Sequence, residues 1–466
     1  MKALLLNVGH GDLTGDEHPR HNVAPMDLAQ CAAILEEAGW EVDLWDTILT
    51  PTATNQEIDG RANGFGPDLV VVRPLVHTGD TTAELCRSLT ERGALCLAMG
   101  PSGPHMGRTL LTPIEGVMPV QGVLVGEPER TLMDLLPFLK EKSLPEEPMA
   151  GLQTDPETPA HPRAFLKDLD DLPIPAQHLL MKQGYRFRYP LDVKGPLRIG
   201  YVLSSRGCAL GCIFCAPVER ETFGTQYRWR SPDNICDELE HLAELGANAV
   251  YFIDDFFGFS PKRISALCER IIERGISLPW VAQVRAHGLS LEVLQLMRRA
   301  GCSTLCFGAE SGTDRVLEIL KKGVSVAQIR EQALKIRQAG IQSVGYFIVG
   351  VPGETDDERS TTYDFIEEIA PDVVQLHIFN VFPGAPAMAE FGSMYSEAGT
   401  KFLGPTGRDD RLEALDEERR KFYLRYYLSP RYVVRTLRRR WRPLLANFGE
   451  EASFALRSTR FFLGGS

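Results

Sequence analysis

Two rhythms of apolar positions run through the chain. Short continuous apolar runs predict strands buried on both faces, and apolar residues recurring every three or four positions predict amphipathic helices. In residues 1–140 the runs at 3–8, 41–45, 68–73, 94–99 and 122–125 predict strands. Helices are expected at 27–38 and 81–92 and from Thr131 onward. The first of them repeats Leu28, Cys31, Ala32 and Leu35 and stops at Gly39. From 196 to about 385 the alternation resumes, with six strands expected at 198–204, 249–254, 280–285, 303–308, 342–349 and 373–379. Helices are expected between them at 232–245, 261–274, 290–300, 326–339 and 356–369, with a shorter one at 313–321.

This alternation gives an α/β fold class. Residues 1–140 predict a doubly wound parallel sheet of the Rossmann or flavodoxin kind, with its ligand beyond the carboxyl ends of the strands at the switch point. Six βα units in 196–390 are too few to close an eight-stranded barrel, so an open one is expected, with its chemistry at the C-terminal strand ends. Residues 141–195 are rich in proline and charge and predict a wrapping linker. Residues 391–466 predict a helical tail, with helices at 417–427 and 432–441.

At 466 residues the chain exceeds one ordinary core, and 44% hydrophobic and 24% charged residues are those of a soluble globular protein. No apolar run reaches membrane-spanning length, and the first apolar run is too short for a signal peptide. Cytoplasmic localisation is expected. The net charge of −12 hides an asymmetry. From Arg419 onward there are twelve Lys/Arg and two Asp/Glu, which leaves −22 for residues 1–418. An acidic body argues against a nucleic-acid partner. Ten cysteines in such a chain argue for metal or buried thiols rather than disulfides. Seven of them are scattered on apolar faces and read as small core residues.

The other three are Cys208, Cys212 and Cys215, spaced C-x3-C-x2-C just after an apolar run. Three thiolates on one tight loop can hold three irons of a [4Fe–4S] cluster, which normally takes four cysteines, and so leave one iron open. Ala209 and Gly211 would let the backbone wrap closely round such a group. Buried structural cysteines and a zinc site are the competing readings. Zinc usually takes its cysteines as two knuckles, and no second knuckle follows.

The motif after a first strand resembles that of the radical S-adenosylmethionine (SAM) enzymes. Its flanks, Ser204-Ser205-Arg206-Gly207 and Ile213-Phe214-Cys215, resemble the branch with an N-terminal cobalamin-binding domain. The resemblance implies a (β/α)6 partial TIM barrel. It implies that the open iron binds SAM, whose reductive cleavage gives methionine and a 5′-deoxyadenosyl radical. It carries SAM contacts to strand ends: Asp254 and Asp255 as an exposed pair of carboxylates, Glu310 and Ser311, and the Gly350 turn. Gln283 and Arg285 end the third strand and can bind a carboxylate, Arg through its planar fork. The segment 379–386 resembles the closing loop of the family.

Residues 35–42, 67–72 and 126–127 resemble the cobalamin-binding domain, which implies corrin contacts at Gly100, His105, Gly126 and Glu127. There is no D-x-H-x-x-G motif to supply a cobalt ligand. His10, His77 and His105 read as loop histidines rather than metal ligands.

The resemblance implies methylation of an unactivated carbon of a small molecule through methylcobalamin, with an electron donor such as flavodoxin or ferredoxin. An oxidative cyclase or a lipid- or tetrapyrrole-modifying enzyme belongs to the same branch. Two further readings are a radical SAM enzyme whose first domain only scaffolds, and a non-catalytic iron–sulfur electron carrier. In the tail, Tyr423, Tyr426, Tyr427, Val433, Val434, Leu437 and Trp441 alternate with arginines. A helical cap is favoured there over a peripheral membrane contact.

Overall fold

The structure is a computed structural model, and it describes residues 1–9, 23–50, 54–75, 78–100, 106–185, 187, 189–191, 193, 196–215, 222–381, 385–392 and 410–446. The chain forms two compact units. One comprises Met1–Arg186, Arg206–Cys208 and Val218–Arg230; the other comprises Phe187–Ser205, Ala209–Pro217 and Ser231–Ser466. The expected linker, 141–195, therefore belongs to the first unit as far as residue 186.

In the first unit, strands β1 (Lys2–Val8), β2 (Glu41–Asp46), β3 (Leu69–Pro74), β4 (Leu95–Ala98), β5 (Gly122–Leu124) and β6 (Leu152–Gln153) form one sheet in the order β2-β1-β3-β4-β5-β6. The first five are parallel, and β6 runs antiparallel to β5. Leu4, Leu6, Val70, Val72 and Cys96 lie in one core with the helices, which is why these strands read as unbroken apolar runs. Helices α1 (Met26–Glu37), α2 (Asn55–Phe65), α3 (Gly79–Glu91), α4 (Gly107–Leu110), α5 (Pro128–Lys140) and α6 (Gln177–Leu180) complete the unit among the described residues.

Helix α2 is absent from the sequence expectations. It contains Gly60, Gly64 and polar residues, and only Ile58 and Ala62, four positions apart, are buried. A capping box between Thr54 and Glu57 starts it. The proline-rich 141–186 stretch is tied down by β6 and by Gln183, whose amide donates to Leu44 O at 2.9 Å and accepts from Asp46 N at 2.8 Å.

In the second unit, β7 (Ile199–Val202), β10 (Ala249–Phe252), β11 (Trp280–Arg285), β12 (Cys302–Glu310), β13 (Gln342–Val349) and β14 (Val373–Ile378) form a parallel sheet in sequential order. Its ends do not pair with each other, so it is the open six-stranded arrangement expected. A short ladder pairs β8 (Ser205–Arg206) with β9 (Arg228–Trp229), of which Arg206, Arg228 and Trp229 belong to the first unit. Helices α7 (Pro232–Glu244), α8 (Pro261–Glu273), α9 (Leu291–Arg299), α10 (Asp314–Ile319), α11 (Val326–Gln338), α12 (Asp356–Ile369) and α13 (Pro386–Phe391) alternate with the strands. On the helix side, Phe252, Phe257 and Trp280 cluster with centroids 4.8–5.6 Å apart, and Trp280 donates to Ala300 O at 2.7 Å.

The tail forms α14 (Asp410–Tyr427) and α15 (Pro430–Ala446). Strand β14 is an edge, and an edge leaves unpaired backbone donors. Here Val374 N donates to the Tyr427 hydroxyl at 2.9 Å and Leu376 N donates to the Tyr423 hydroxyl at 2.8 Å. The tyrosines of the tail thus cap the sheet edge, whereas Val433, Val434 and Leu437 stay exposed. Among the described residues no helix is long and apolar enough to cross a membrane.

Candidate active site

The cysteine segment is anchored at both ends. At its start, Gly207 has φ +88°, and a Cβ there would come within 2.2 Å of Gln226 O. Only glycine tolerates that turn without displacing backbone. Cys208 N then donates to Gly224 O at 3.3 Å. Ahead of the turn, Arg206 is buried between two carboxylates. It donates to Glu127 at 3.0 Å and to Glu129 at 2.6 Å. At the other end, Ile213 is 1% exposed in a core with Val316, Leu320, Ile348 and Phe379. Its N–H donates to Leu320 O at 3.2 Å and its carbonyl accepts from Ala387 N at 3.0 Å.

None of the three is in a disulfide; Cys212 is buried, while Cys208 and Cys215 are half-buried. Three reduced thiols on an irregular segment are a donor set that suits iron. Among the described residues no three His, Cys, Asp or Glu side chains are already drawn into a closed metal site. The position of a Cβ on Gly211 is open space, so the close approach that demands glycine is at Gly207. Gly207→Ala is expected to destabilise the protein by roughly 1–3 kcal/mol and to lower iron retention. Denaturant unfolding and iron per chain would check both.

Strand-end residues gather at the sheet's C-terminal edge. Asp254 corrects an expectation: it is fully buried, not one of an exposed pair, whereas Asp255 is exposed. One Asp254 oxygen accepts from the Ser204 hydroxyl at 2.7 Å and from the Ser205 hydroxyl, and the other accepts from Ser204 N at 3.2 Å. Burial pushes its carboxyl up, and the Arg263 charge and these hydroxyls pull it back. Arg263 also donates to Ser204 O at 2.7 Å, so the pair fixes the segment leading to the motif.

Strand β12 ends in a register shift between Gly308 and Glu310, and Glu310 takes a left-handed φ of +62°. Non-glycine residues adopt that conformation rarely, and it collects at functional sites. The buried Glu310 carboxylate accepts from Lys322 Nζ at 2.6 Å, and Lys322 also stands 5.6 Å from the Phe214 ring centroid, inside the cysteine motif. Gly308 makes room for this pair, because a Cβ there would meet Glu310 Oε1 at 2.2 Å. Ser311 is buried against Thr362, with hydroxyl oxygens 3.1 Å apart. Gly350 has φ +75°; its N–H donates to Glu354 at 2.6 Å, and Leu415 of α14 covers it.

Gln283 donates to the Tyr251 hydroxyl at 2.6 Å. Arg285 donates through Nη2 to the carbonyls of Lys322 and Gly323 at 2.7 and 2.8 Å, so that nitrogen of its fork is engaged by backbone. Tyr189 and Tyr346 share a hydrogen bond of 2.7 Å, and Gln375 donates to Tyr189 at 3.1 Å. By strand register Gln283, Tyr346 and Gln375 share one sheet face, a row of amides and phenols.

Residues 202–366 match the radical SAM superfamily. The chain carries a radical SAM domain. All three motif cysteines and every strand-end residue named above from Asp254 to Gly350 lie inside the matched segment. Across its length the chain is 26% identical to an uncharacterized methyltransferase of Pyrococcus horikoshii, covering 89% of this chain and 90% of that one. It is 23% identical to the anaerobic magnesium-protoporphyrin IX monomethyl ester cyclase of Cereibacter sphaeroides, over 86% and 67% of the two chains. Its fold is similar to that of the radical SAM methyltransferase TsrM of Kitasatospora setae, solved with cobalamin and a [4Fe–4S] cluster bound. That similarity has a TM-score of 0.63 at 20% identity, over 85% and 76% of the two chains. The superfamily uses SAM and a [4Fe–4S] cluster.

In the first unit the expected corrin contacts fare unequally. The Glu127 carboxylate accepts from Arg206, from Arg228 at 2.8 Å and from Leu166 N at 2.9 Å, so it is held in an ion-pair network. Gly126 has φ +77° with open space where a Cβ would stand, which leaves room for a ligand's approach. Gly100 packs on Arg73, which bonds Asp27 and Asn7 at the switch point between β1 and β3. His10, His77 and His105 lie outside the described residues. Sequence reasoning missed Lys322, Arg263, Glu129 and Arg228, whose partners lie far along the chain or on another strand.

Proposed function

We propose that the chain is a cobalamin-dependent radical SAM enzyme that methylates an unactivated carbon of a small molecule. One observation carries the reading. Three cysteines outside any disulfide, Cys208, Cys212 and Cys215, open the matched radical SAM segment, and polar strand ends follow them in order along one sheet. When bound, the [4Fe–4S] cluster with SAM and methylcobalamin supply one-electron hydrogen abstraction and a methyl group.

The chain's own part is to bind and orient. Cys208, Cys212 and Cys215 offer thiolates to iron. Asp255, Gln283, Arg285, Glu310, Ser311 and Gly350 line the SAM side, and Asp254 acts through Ser204 and Ser205, whose hydroxyls it holds. Lys322 neutralises the Glu310 carboxylate until a cationic ligand group competes for it. The amide and phenol row beside Gln283 faces the substrate. Residues 1–140 hold the corrin through backbone at Gly126 and Gly100, with His105 kept as a contact on the family resemblance alone, and without a protein histidine on cobalt. Residues 141–195 link this domain to the barrel of 196–390, and 391–466 cap it. The electron comes from a flavodoxin or ferredoxin in the cytoplasm, with no nucleic acid involved.

Similarity to a protein named as a methyltransferase, together with a fold like that of a cobalamin-bound methyltransferase, supports this reading. A second reading, oxidative cyclisation of a tetrapyrrole, draws on the relative named as a porphyrin ester cyclase. Product analysis separates them. Reduced, corrin-loaded protein given SAM and candidate substrates is expected to form S-adenosylhomocysteine together with 5′-deoxyadenosine. 5′-Deoxyadenosine without S-adenosylhomocysteine, on a magnesium porphyrin ester, would replace methylation by cyclisation.

A further inference from the structure

We propose that the Tyr227 hydroxyl donates a hydrogen bond to the Cys208 sulfur and thereby raises the reduction potential of the cluster; this rests on the reading of Cys208 as an iron ligand. The Tyr227 hydroxyl lies 3.8 Å from the Cys208 Sγ and is oriented to donate to it. Hydrogen bonds to sulfur are longer than those to oxygen because sulfur is larger and softer, and this one lies toward the long end of their range. Hydrogen bonds to the sulfurs are one of the determinants of iron–sulfur potentials.

Both partners are fixed by contacts that do not involve each other. On the cysteine side, the Gly207 turn abuts Gln226 O, Cys208 N donates to Gly224 O, and Arg206 is clamped by Glu127 and Glu129. On the tyrosine side, the next residue, Arg228, opens β9. Its guanidinium donates to Glu127, to Leu166 O at 2.8 Å and to Phe223 O at 2.7 Å. Phe165 lies against the same guanidinium, 4.9 Å from ring centroid to charge. The Tyr227 backbone is therefore held between a residue pressed on the Gly207 turn and a residue locked in a buried ion-pair network. A side chain placed this way does not need to be ordered by the cluster.

The charges nearby explain why a neutral donor matters. Arg206 and Arg228 are matched by Glu127 and Glu129, so the clamp holds position with no net charge of its own. Beside Cys208 the Tyr227 hydroxyl supplies a dipole without a net charge. An O–H aimed at a thiolate withdraws electron density from it, which stabilises the added electron of the reduced cluster more than the oxidised form. Sulfur loses that assistance when the hydroxyl is removed, and the ring that fills the space is left unchanged.

The test is an anaerobic redox titration of the reconstituted full chain, followed by the electron paramagnetic resonance signal of the reduced cluster, with iron per chain measured in the same samples. Tyr227→Phe is expected to keep wild-type iron content and to show a lower midpoint. At the wild-type midpoint its reduced fraction should be several-fold smaller. Introducing 3-fluorotyrosine at position 227, a stronger donor of nearly the same shape, is expected to shift the midpoint upward. It also decides the matter if the phenylalanine variant loses iron. Equal midpoints in wild type and variants at equal iron content would overturn the proposal and leave the cluster reading intact. Wild-type protein that takes up no iron would overturn both.

Discussion

Cys212→Ala is expected to remove cluster binding and to cut reductive SAM cleavage by more than about a hundredfold, beyond the loss typical of a residue that only supports a ligand. The reason is local. Cys212 is the buried member of the three, next to Ile213, whose backbone is bonded on both sides and whose side chain fills a core. Alanine leaves that anchorage in place, so the fold persists while two thiols are left for iron. Iron and sulfide per chain, with far-ultraviolet circular dichroism as the control for folding, measure the effect. Full iron content in this variant would rule Cys212 out as a ligand.

Arg206→Met is expected to destabilise the first unit by about 3–5 kcal/mol, because removing one member of a buried ion-pair network strands the others. Glu127 and Glu129 are nearly inaccessible, with side chains 4% and 1% exposed, and Arg206 is 6% exposed. Their attraction is little screened by salt, so the loss should persist at high ionic strength. Glu127 would retain Arg228, whereas Glu129 would lose its guanidinium partner. Restoring balance with Glu129→Gln in the Arg206→Met background should recover part of the loss, which a double-mutant cycle in denaturant would reveal. A loss below about 1 kcal/mol, the range of exposed pairs, would mean that this network does not hold the segment before Cys208.

Much of the fold was legible because the strands of both sheets, apart from β6, are parallel. Strands such as β1 and β3 are covered on both sides, so they appear as continuous apolar runs, and their helices end at glycine or begin at Ser or Thr caps. Helix α2 was not legible, since two buried residues and a capping box make a weak periodic signal. The β8–β9 ladder escaped because each strand is only two residues long.

At the site, the cysteine spacing is a local signal and could be read directly. Burial is not local. Asp254 reads as an exposed strand-end carboxylate until Ser204 and Ser205, about fifty residues earlier, are folded onto it. Glu127 reads as a loop residue beside a glycine until Arg206 arrives from 79 positions away. Lys322 is only twelve residues from Glu310, but nothing in the sequence marks a lysine after a short helix as the partner of a strained glutamate.

The most direct measurement is the corrin content of the protein. The chain would be reconstituted anaerobically with iron, sulfide and hydroxocobalamin, desalted, and assayed for bound corrin and for 5′-deoxyadenosine formed from SAM under reduction. About one corrin per chain, with 5′-deoxyadenosine produced, is the expected result. Production of 5′-deoxyadenosine by protein that retains no corrin would contradict the cobalamin-dependent reading and leave a radical SAM enzyme whose first domain serves another purpose.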